Sequence, residues 1–584
     1  MRTASAAALV AVAVGVACAR HSGDEARLVR PELGEAALVR LPRRVPARSA
    51  LEVAQETRPA LALRPGQVAA TRLEAPAGGR LAVAFALAES PDAGFARVSV
   101  SSGGRVLHAK RVFAGRRDRW VSEVVSLPAG TGALEIRAEH VDRAGRPLTG
   151  VTPGEPWLFL AQPRLYVPAN IPRRRVLVWL SQDALRPDHL GAYGYRRPTS
   201  PRFDRLAGES AVFEQAVSAA SWTLPGLASQ LTSRYASYHG AVRPDQALGA
   251  DPTLFEVLAA AGFTILGVTG NLFVSAEFGT ARGFDVLRFA PENAEQANRM
   301  LLKALDDWPG GDLALFVHYM DTHSHFEPPP PFDRLFDPDY SGSVNGRNFY
   351  QRRLAQRDAD HVKALYDGEI AYTDAQLGAL VDALVARGLM RDAVLVLSAD
   401  HGEELQDHGG WTHSQTVYEE VLRIPLVIRV PGVAPRRIPQ VVSSVDIAPT
   451  VLEALGIPAP ASFQGRSLLP HMRGVPLPER PVFSETEHTH GARVHKLALR
   501  DGRFKYVLET ARGDPALPVL REALYDLEAD PGERTPVPSS ARLERFREAA
   551  REFLRRAREQ GTERRALKLP SDVEEGLRAL GYVQ

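Results

Sequence analysis

From Pro172 onward the chain alternates short apolar runs with longer stretches of helical period, and this alternation restricts the fold more than any other feature. The apolar runs are 176–180, 263–268, 313–317, 393–397 and 425–430, and helix patterns occupy 254–261, 295–308 and 362–389 between them. Strands that are apolar throughout must be covered on both faces, so the expectation is an α/β domain with helices on both sides of a central sheet. Before it, short alternating runs such as 81–85, 97–100 and 133–136 are separated by Gly-rich turns, which predicts an all-β sandwich. Beyond about Pro481 strands dominate again, with Asp501-Gly502 as a two-residue hairpin signal, followed by a charged helix over 541–560. The organisation expected is a sandwich at 56–168, an α/β domain at 174–475 and a small antiparallel subdomain with a terminal helix at 476–584.

The first residues read as an address. Arg2 precedes an apolar run, 4–17, that is too short to span a bilayer and ends at Cys18, the only cysteine in the sequence. Residues 15–18, Gly-Val-Ala-Cys, resemble a bacterial lipobox, so the targeting segment is 1–18, followed by a charged, Pro-containing tether at 19–55. Lipid on Cys18 would hold the mature protein on a membrane; the alternative is a plain secretory peptide cut nearby. Both place the protein outside the cytoplasm, in the periplasm or on the cell surface. The 71 basic and 69 acidic residues leave a net charge of +2, which excludes a polyelectrolyte partner such as nucleic acid.

Ligands of open α/β sheets sit beyond the carboxyl ends of strands. Those ends carry Asp183 after 176–180, the run His318 to His325 after 313–317, and Asp400-His401 after 393–397. Thr223 follows the apolar run 211–220 and precedes a helix pattern, 225–235, so it reads as sitting at a helix mouth, where unpaired amides attract anions. Taken singly these residues have bland readings: a helix cap for Thr223, a turn for Asp183, surface histidines for His318, His323 and His325, a loop residue for His413. Taken together, two carboxylates, an imidazole and a hydroxyl are the ligand set of a hard divalent cation. Such an ion, held by two carboxylates and an imidazole, would bind the Thr223 oxygen and lower its pKa for attack on an anionic ester, with histidine protonating the leaving oxygen.

At this point the sequence resembles a family. Residues 183–195, DALRPDHLGAYGY, look like the N-terminal metal-binding segment of sulfatases in the alkaline phosphatase superfamily; 400–404, DHGEE, with 407–411 and 422–426, look like the second such segment. The stretches 445–452 and 524–533 are also typical, so the resemblance spans roughly 174–584. It implies a central mixed sheet, metal ligands at Asp183, Asp400 and His401, a nucleophile at Thr223, and contacts from His323 and His413 to the anion or leaving group. It also implies that Arg234, in the helix after the nucleophile, is structural. Sulfatases carry Cys or Ser that becomes formylglycine, in a C/S-x-P-x-R run; here the run is Thr223-Leu224-Pro225-Gly226-Leu227, so no formylglycine can form. The usual second Asp is Ala184, and a pocket lysine is replaced by Asn271. This pattern is closer to members that use threonine directly.

The expectation is therefore an exported, metal-dependent hydrolase or transferase acting on a phosphate or sulfate ester of a glycan, lipid head group or small molecule. The ion is Ca, Mn, Mg or Zn, with Asp321 and His325 as a second metal site and His413 as its third ligand in the two-metal alternative. The competing expectations are a formylglycine-independent sulfuric ester hydrolase on glycans and a catalytically silent surface protein that holds a glycan on a sulfatase scaffold.

Overall fold

The structure is a computed structural model of the chain. It describes residues 174–582 except 292, 309, 351–352, 488–493, 512–518, 539–540, 570 and 580–581; before residue 174 it describes strands and a few turns between 13 and 168. Five parallel strands lie side by side in the order Val286–Phe289, Thr264–Thr269, Leu313–Tyr319, Val176–Gln182 and Ala393–Ala399. Arg423–Arg429 then adds antiparallel, followed by Ala211–Val217 and Arg436–Ser443, which makes the sheet mixed. Every residue of Leu313–Tyr319, Val176–Gln182 and Ala393–Ala399 is buried, so both faces are covered, as their unbroken apolar character requires. Helices Leu254–Ala260, Ala294–Asp306, Gln356–Ala386 and Ile447–Ala454 contribute to that same core.

The register fixes the site. Gln182 aligns with Tyr319 on one side and with Ala399 on the other, so three neighbouring strands end at one level. The residues that follow them, Asp183, Met320 to His325, and Asp400-His401, are therefore delivered to one place.

The N-terminal region is all-β. Leu81, Val83, Phe85, Leu160 and Leu165 from one set of strands pack against Val98, Val100, Leu134 and Ile136 from a second sheet, in a cluster separate from the main core. The first set does not stop at its own edge: Glu56–Leu63 pairs antiparallel with Val286–Phe289, joining it to the central sheet. Nothing local in sequence reports such an edge pairing. The stretch read as tether also contains strands, Ala26–Val29 and Ala37–Leu41, each too short to display an alternation. Cys18 and, apart from the Ala13–Val14 strand, the rest of the targeting segment lie outside the described residues.

At the other end, strands Val482–Thr486, Val494–Asp501, Phe504–Ala511 and Val519–Asp526 form an antiparallel sheet in chain order. Helix Ala541–Gln560 lays Phe546 and Phe553 against Leu497, Tyr506 and Leu508 of that sheet. The hairpin turn falls at Gly502–Arg503, one residue later than the Asp-Gly signal suggests, because Asp501 pairs with Phe504 and Gly502 takes the left-handed φ of +57°.

Candidate active site

Asp183 leaves its strand donating its N–H to the Tyr319 carbonyl at 2.9 Å. The next residue, Ala184, has a φ of +56°, a sterically costly conformation for alanine that turns its N–H onto Asp400 Oδ1 at 3.2 Å. Asp400 Oδ1 also accepts the His401 N–H at 3.0 Å, and His401 Nδ1 donates to the Gly402 carbonyl at 2.8 Å, which leaves Nε2 facing the site. Thr223 is the first residue of helix Thr223–Thr232, and Trp222, not Thr223, stands at the N-cap. The cap reading is thereby corrected: the Thr223 hydroxyl points instead to Asp183 Oδ2 and His401 Nε2, 3.3 Å from each. Gln230 holds this helix to the Ala399 carbonyl at 2.8 Å, and a Cβ on Gly226 would meet the Asp400 carbonyl oxygen at 2.9 Å. Only glycine allows the helix to come so close.

Asp183, Asp400 and His401 are fully buried, and their ligand atoms lie within 4.8 Å of one another, the one such group among the described residues. Asp183 Oδ1 and Asp400 Oδ2 have no hydrogen-bond partner among those residues. Two buried carboxylates with unsatisfied oxygens are expensive without a compensating cation, so the donor set fits a hard divalent ion. The charge pattern agrees. Burial and the neighbouring Asp183 charge raise the Asp400 carboxyl. Against the effect of burial, Asp400 and Asp183 hold the His401 imidazole up at about 9.

Two further residues complete the carboxylate's surroundings. Asn271 Nδ2 donates to Asp183 Oδ2 at 2.8 Å and lies 3.3 Å from Thr223 Oγ1. His318, read as a surface histidine, is fully buried, with Nε2 3.2 Å from Asp183 Oδ2 and Nδ1 3.1 Å from Ser181 Oγ. Its strand position carried the signal: it aligns with Ser181, two residues before Asp183.

His323 and His413 stand together above Thr223, with ring centroids 4.8 Å apart. His323 Nδ1 donates to the Ser324 carbonyl at 2.6 Å, and burial lowers its pKa, so Nε2 carries a lone pair. His413 Nδ1 lies 2.9 Å from Glu403 Oε1. Both Nε2 atoms face the hydroxyl of Tyr582, a residue that no local pattern had marked.

Other marked residues hold the frame. Arg186 bridges Asp188 and Asp407, and His189 bonds Asp367 on the long helix Gln356–Ala386. Arg234 pairs with Asp251 and the Gln560 carbonyl, the structural part expected of it. Asp321 Oδ1 accepts the Ala294 N–H at 3.1 Å, and His325 packs on Tyr350 with centroids 5.6 Å apart. Among the described residues no ligand group forms around those two.

The family described as Sulfatase matches residues 175–457, which contain all of these groups except Tyr582 and Gln560. The central domain belongs to the sulfatase family. A second sulfatase-type match, N-sulphoglucosamine sulphohydrolase, C-terminal, covers 407–560. Among curated sulfatases, arylsulfatase K of Rattus norvegicus is 30% identical over 193 residues, 32% of this chain and 33% of that protein. The choline-sulfatase of Rhizobium meliloti (strain 1021) is 33% identical over 192 residues, 32% of this chain and 35% of that protein. The chain thus matches about a third of the length of these relatives. In fold it is similar to phosphonate monoester hydrolase from Silicibacter pomeroyi (TM-score 0.55, 21% identity, 67% of this chain and 96% of that one). It is also similar to BT4656 solved with D-glucosamine-2-N,6-O-disulfate (TM-score 0.56, 17% identity, 66% and 98%). Against this sulfatase frame Leu227, where the resemblance places an arginine, is 1% exposed and belongs to the apolar core.

Proposed function

We propose that the protein is a metal-dependent hydrolase of sulfuric or phosphoric esters that works through a covalent ester on Thr223. The observation that carries this reading is the Thr223 hydroxyl, uncapped and 3.3 Å from both Asp183 and His401, between carboxylates whose outer oxygens accept no hydrogen bond and have the His401 imidazole 3.4 Å away. A divalent cation bound by Asp183, Asp400 and His401 would acidify that hydroxyl and offset the charge of a tetrahedral anion. Thr223 Oγ forms a bond to sulfur or phosphorus while the bond to the leaving oxygen breaks, its electron pair going to that oxygen. The hydroxyl proton has an acceptor in Asp183 Oδ2, and His413 Nε2, steadied through Nδ1 by Glu403, supplies the proton that the leaving oxygen takes up. Water then attacks the same centre and gives its proton to His413 Nε2, while Asp183 Oδ2 returns the proton to the departing Thr223 Oγ and the inorganic anion is released. Asn271 keeps Asp183 oriented throughout.

The relatives favour a sulfate ester, since those matched in sequence are sulfatases. A phosphate ester is favoured by the nucleophile itself, because threonine cannot become formylglycine and Leu227 provides no positive charge. A panel of aryl sulfates and aryl phosphate mono- and diesters, assayed with Mn, Zn, Ca and Mg, decides between them. Turnover that Thr223→Ala lowers by at least about a thousandfold is expected; equal rates in wild type and variant on every ester would remove the reading.

Export is part of the proposal, supported by Arg2, the apolar run 4–17 and Cys18. In bacterial cells the mature protein is expected in the membrane fraction and Cys18→Ser in the soluble periplasm. Recovery of both in the cytoplasm would contradict it.

A further inference from the structure

Tyr582 occupies the one point toward which the reactive groups converge. Its hydroxyl is 2.9 Å from His323 Nε2, 3.0 Å from His413 Nε2 and 3.3 Å from Thr223 Oγ1. An oxygen of a sulfate or phosphate group whose sulfur or phosphorus Thr223 attacks would need those same contacts, and two oxygens cannot share them. The phenol ring is boxed by Phe273, at 4.8 Å and 79°, and by Trp222, at 5.9 Å and 35°. With the ring in place Thr223, Asp183, Asp400 and His401 are each 0% exposed, so the nucleophile has no open approach.

The element that delivers Tyr582 is suited to leaving. Helix Ser571–Ala579 buries Val573 and Leu577 against the Trp222, Leu272, Phe273 and Phe278 cluster, while Glu575 and Arg578 on its other side are exposed. The Tyr582 N–H donates to the Leu577 carbonyl at 2.9 Å, tying the ring to that helix. Two aliphatic side chains and one ring bury little apolar surface beside that of the main core. Segments held in this way open ahead of global unfolding.

We propose that helix Ser571–Ala579 together with Tyr582 forms a displaceable plug of the active site, in which the Tyr582 hydroxyl stands in for an oxygen of the substrate anion. The site then exists in two exclusive states, phenol in or anion in, and the apparent affinity for any tetrahedral anion is reduced by the fraction of molecules that are plugged. The proposal rests on the reading of Thr223, His323 and His413 as an ester site, but its test does not depend on turnover.

The test uses the full-length, metal-loaded protein and orthovanadate, with inorganic sulfate as a second probe. Calorimetry gives the Kd, and amide hydrogen exchange follows residues 571–582. Vanadate is expected to speed exchange in 571–582 while slowing it in 223–230, and Tyr582→Ala is expected to bind vanadate at least about tenfold more tightly. Leu577→Ala touches no reactive group but loosens the helix, so it too must tighten binding. Protection of 571–582 by vanadate, or unchanged or weaker binding by both variants, overturns the plug; a fall in melting temperature with Kd unchanged marks Tyr582 as structural only and does the same. Displacement by vanadate without turnover of any ester would leave the plug standing and remove the ester reading. Thr223-dependent turnover with 571–582 still protected would do the reverse.

Discussion

Thr223 shows how little a residue's type says without its surroundings. Threonine before a helix is a good cap, yet here the N-cap is Trp222 and the hydroxyl turns to Asp183 and His401. The two histidines above it differ in the same way. His323 is tied through Nδ1 to a backbone carbonyl and burial lowers its pKa, so its Nε2 accepts; His413 Nδ1 meets the Glu403 carboxyl, which burial raises, so that pair is placed to hold a proton for Nε2 to donate. Replacing His413 by Asn is therefore expected to cost roughly a hundredfold to ten-thousandfold in kcat on esters with poorly acidic leaving groups, and much less on nitrophenyl esters. His323→Asn should slow all esters by a similar factor. Plots of log kcat against leaving-group pKa check this, and identical slopes for the two variants would refute the assignment. At this scale Asp183, Asp400, His401 and Thr223 were legible because each stands within a few residues of the end of an apolar run. Asn271, His318 and Tyr582 were not: Asn271 was noticed as a missing lysine, His318 looked like part of a polar loop, and Tyr582 is 359 residues from the hydroxyl it touches.

Elements place those residues, and their boundaries followed from pattern wherever both faces were buried. The strands Val176–Gln182, Leu313–Tyr319 and Ala393–Ala399 each begin where the apolar run begins and extend past it by two residues. The excess carries the sheet into its polar ends, where Ser181, His318 and Ser398 align. The helix that carries Thr223 is bound to its neighbour Ala236–His239 by a buried contact, Ser229 Oγ to His239 Nε2 at 3.0 Å, while His239 Nδ1 accepts the Ala241 N–H at 3.2 Å. Burial, with the nearby Arg234 charge adding to it, lowers the His239 imidazole to about 3 from its usual 6.5. The folded state thus refuses a proton that the unfolded chain accepts. His239 imposes no penalty above pH 6.5, and stability is lost as pH falls from there toward 3, by about 1.4 kcal/mol per pH unit. Urea unfolding at pH 7 and pH 5 should show a loss of about 2 kcal/mol from this group, which His239→Asn abolishes. An unchanged pH slope in the variant would contradict the assignment.

Across the whole molecule the division into an all-β region, a central α/β domain and a small antiparallel sheet was readable from texture, because each changes its hydrophobic period. What texture could not report was contact between distant edges: the pairing of Glu56–Leu63 with Val286–Phe289, and the seating of helix Ser571–Ala579 and Tyr582 over Thr223. Both depend on packing between segments hundreds of residues apart, and neither leaves a local pattern. The central claim is that Thr223 carries the transferred group. It is tested most directly by mixing metal-loaded protein with a slowly hydrolysed ester, quenching in acid during turnover and mapping the peptides by mass spectrometry. The prediction is one added sulfonate or phosphoryl group on Thr223, absent from Thr223→Ala. Turnover with Thr223 unmodified at every quench time, or with the group on another residue, would contradict it.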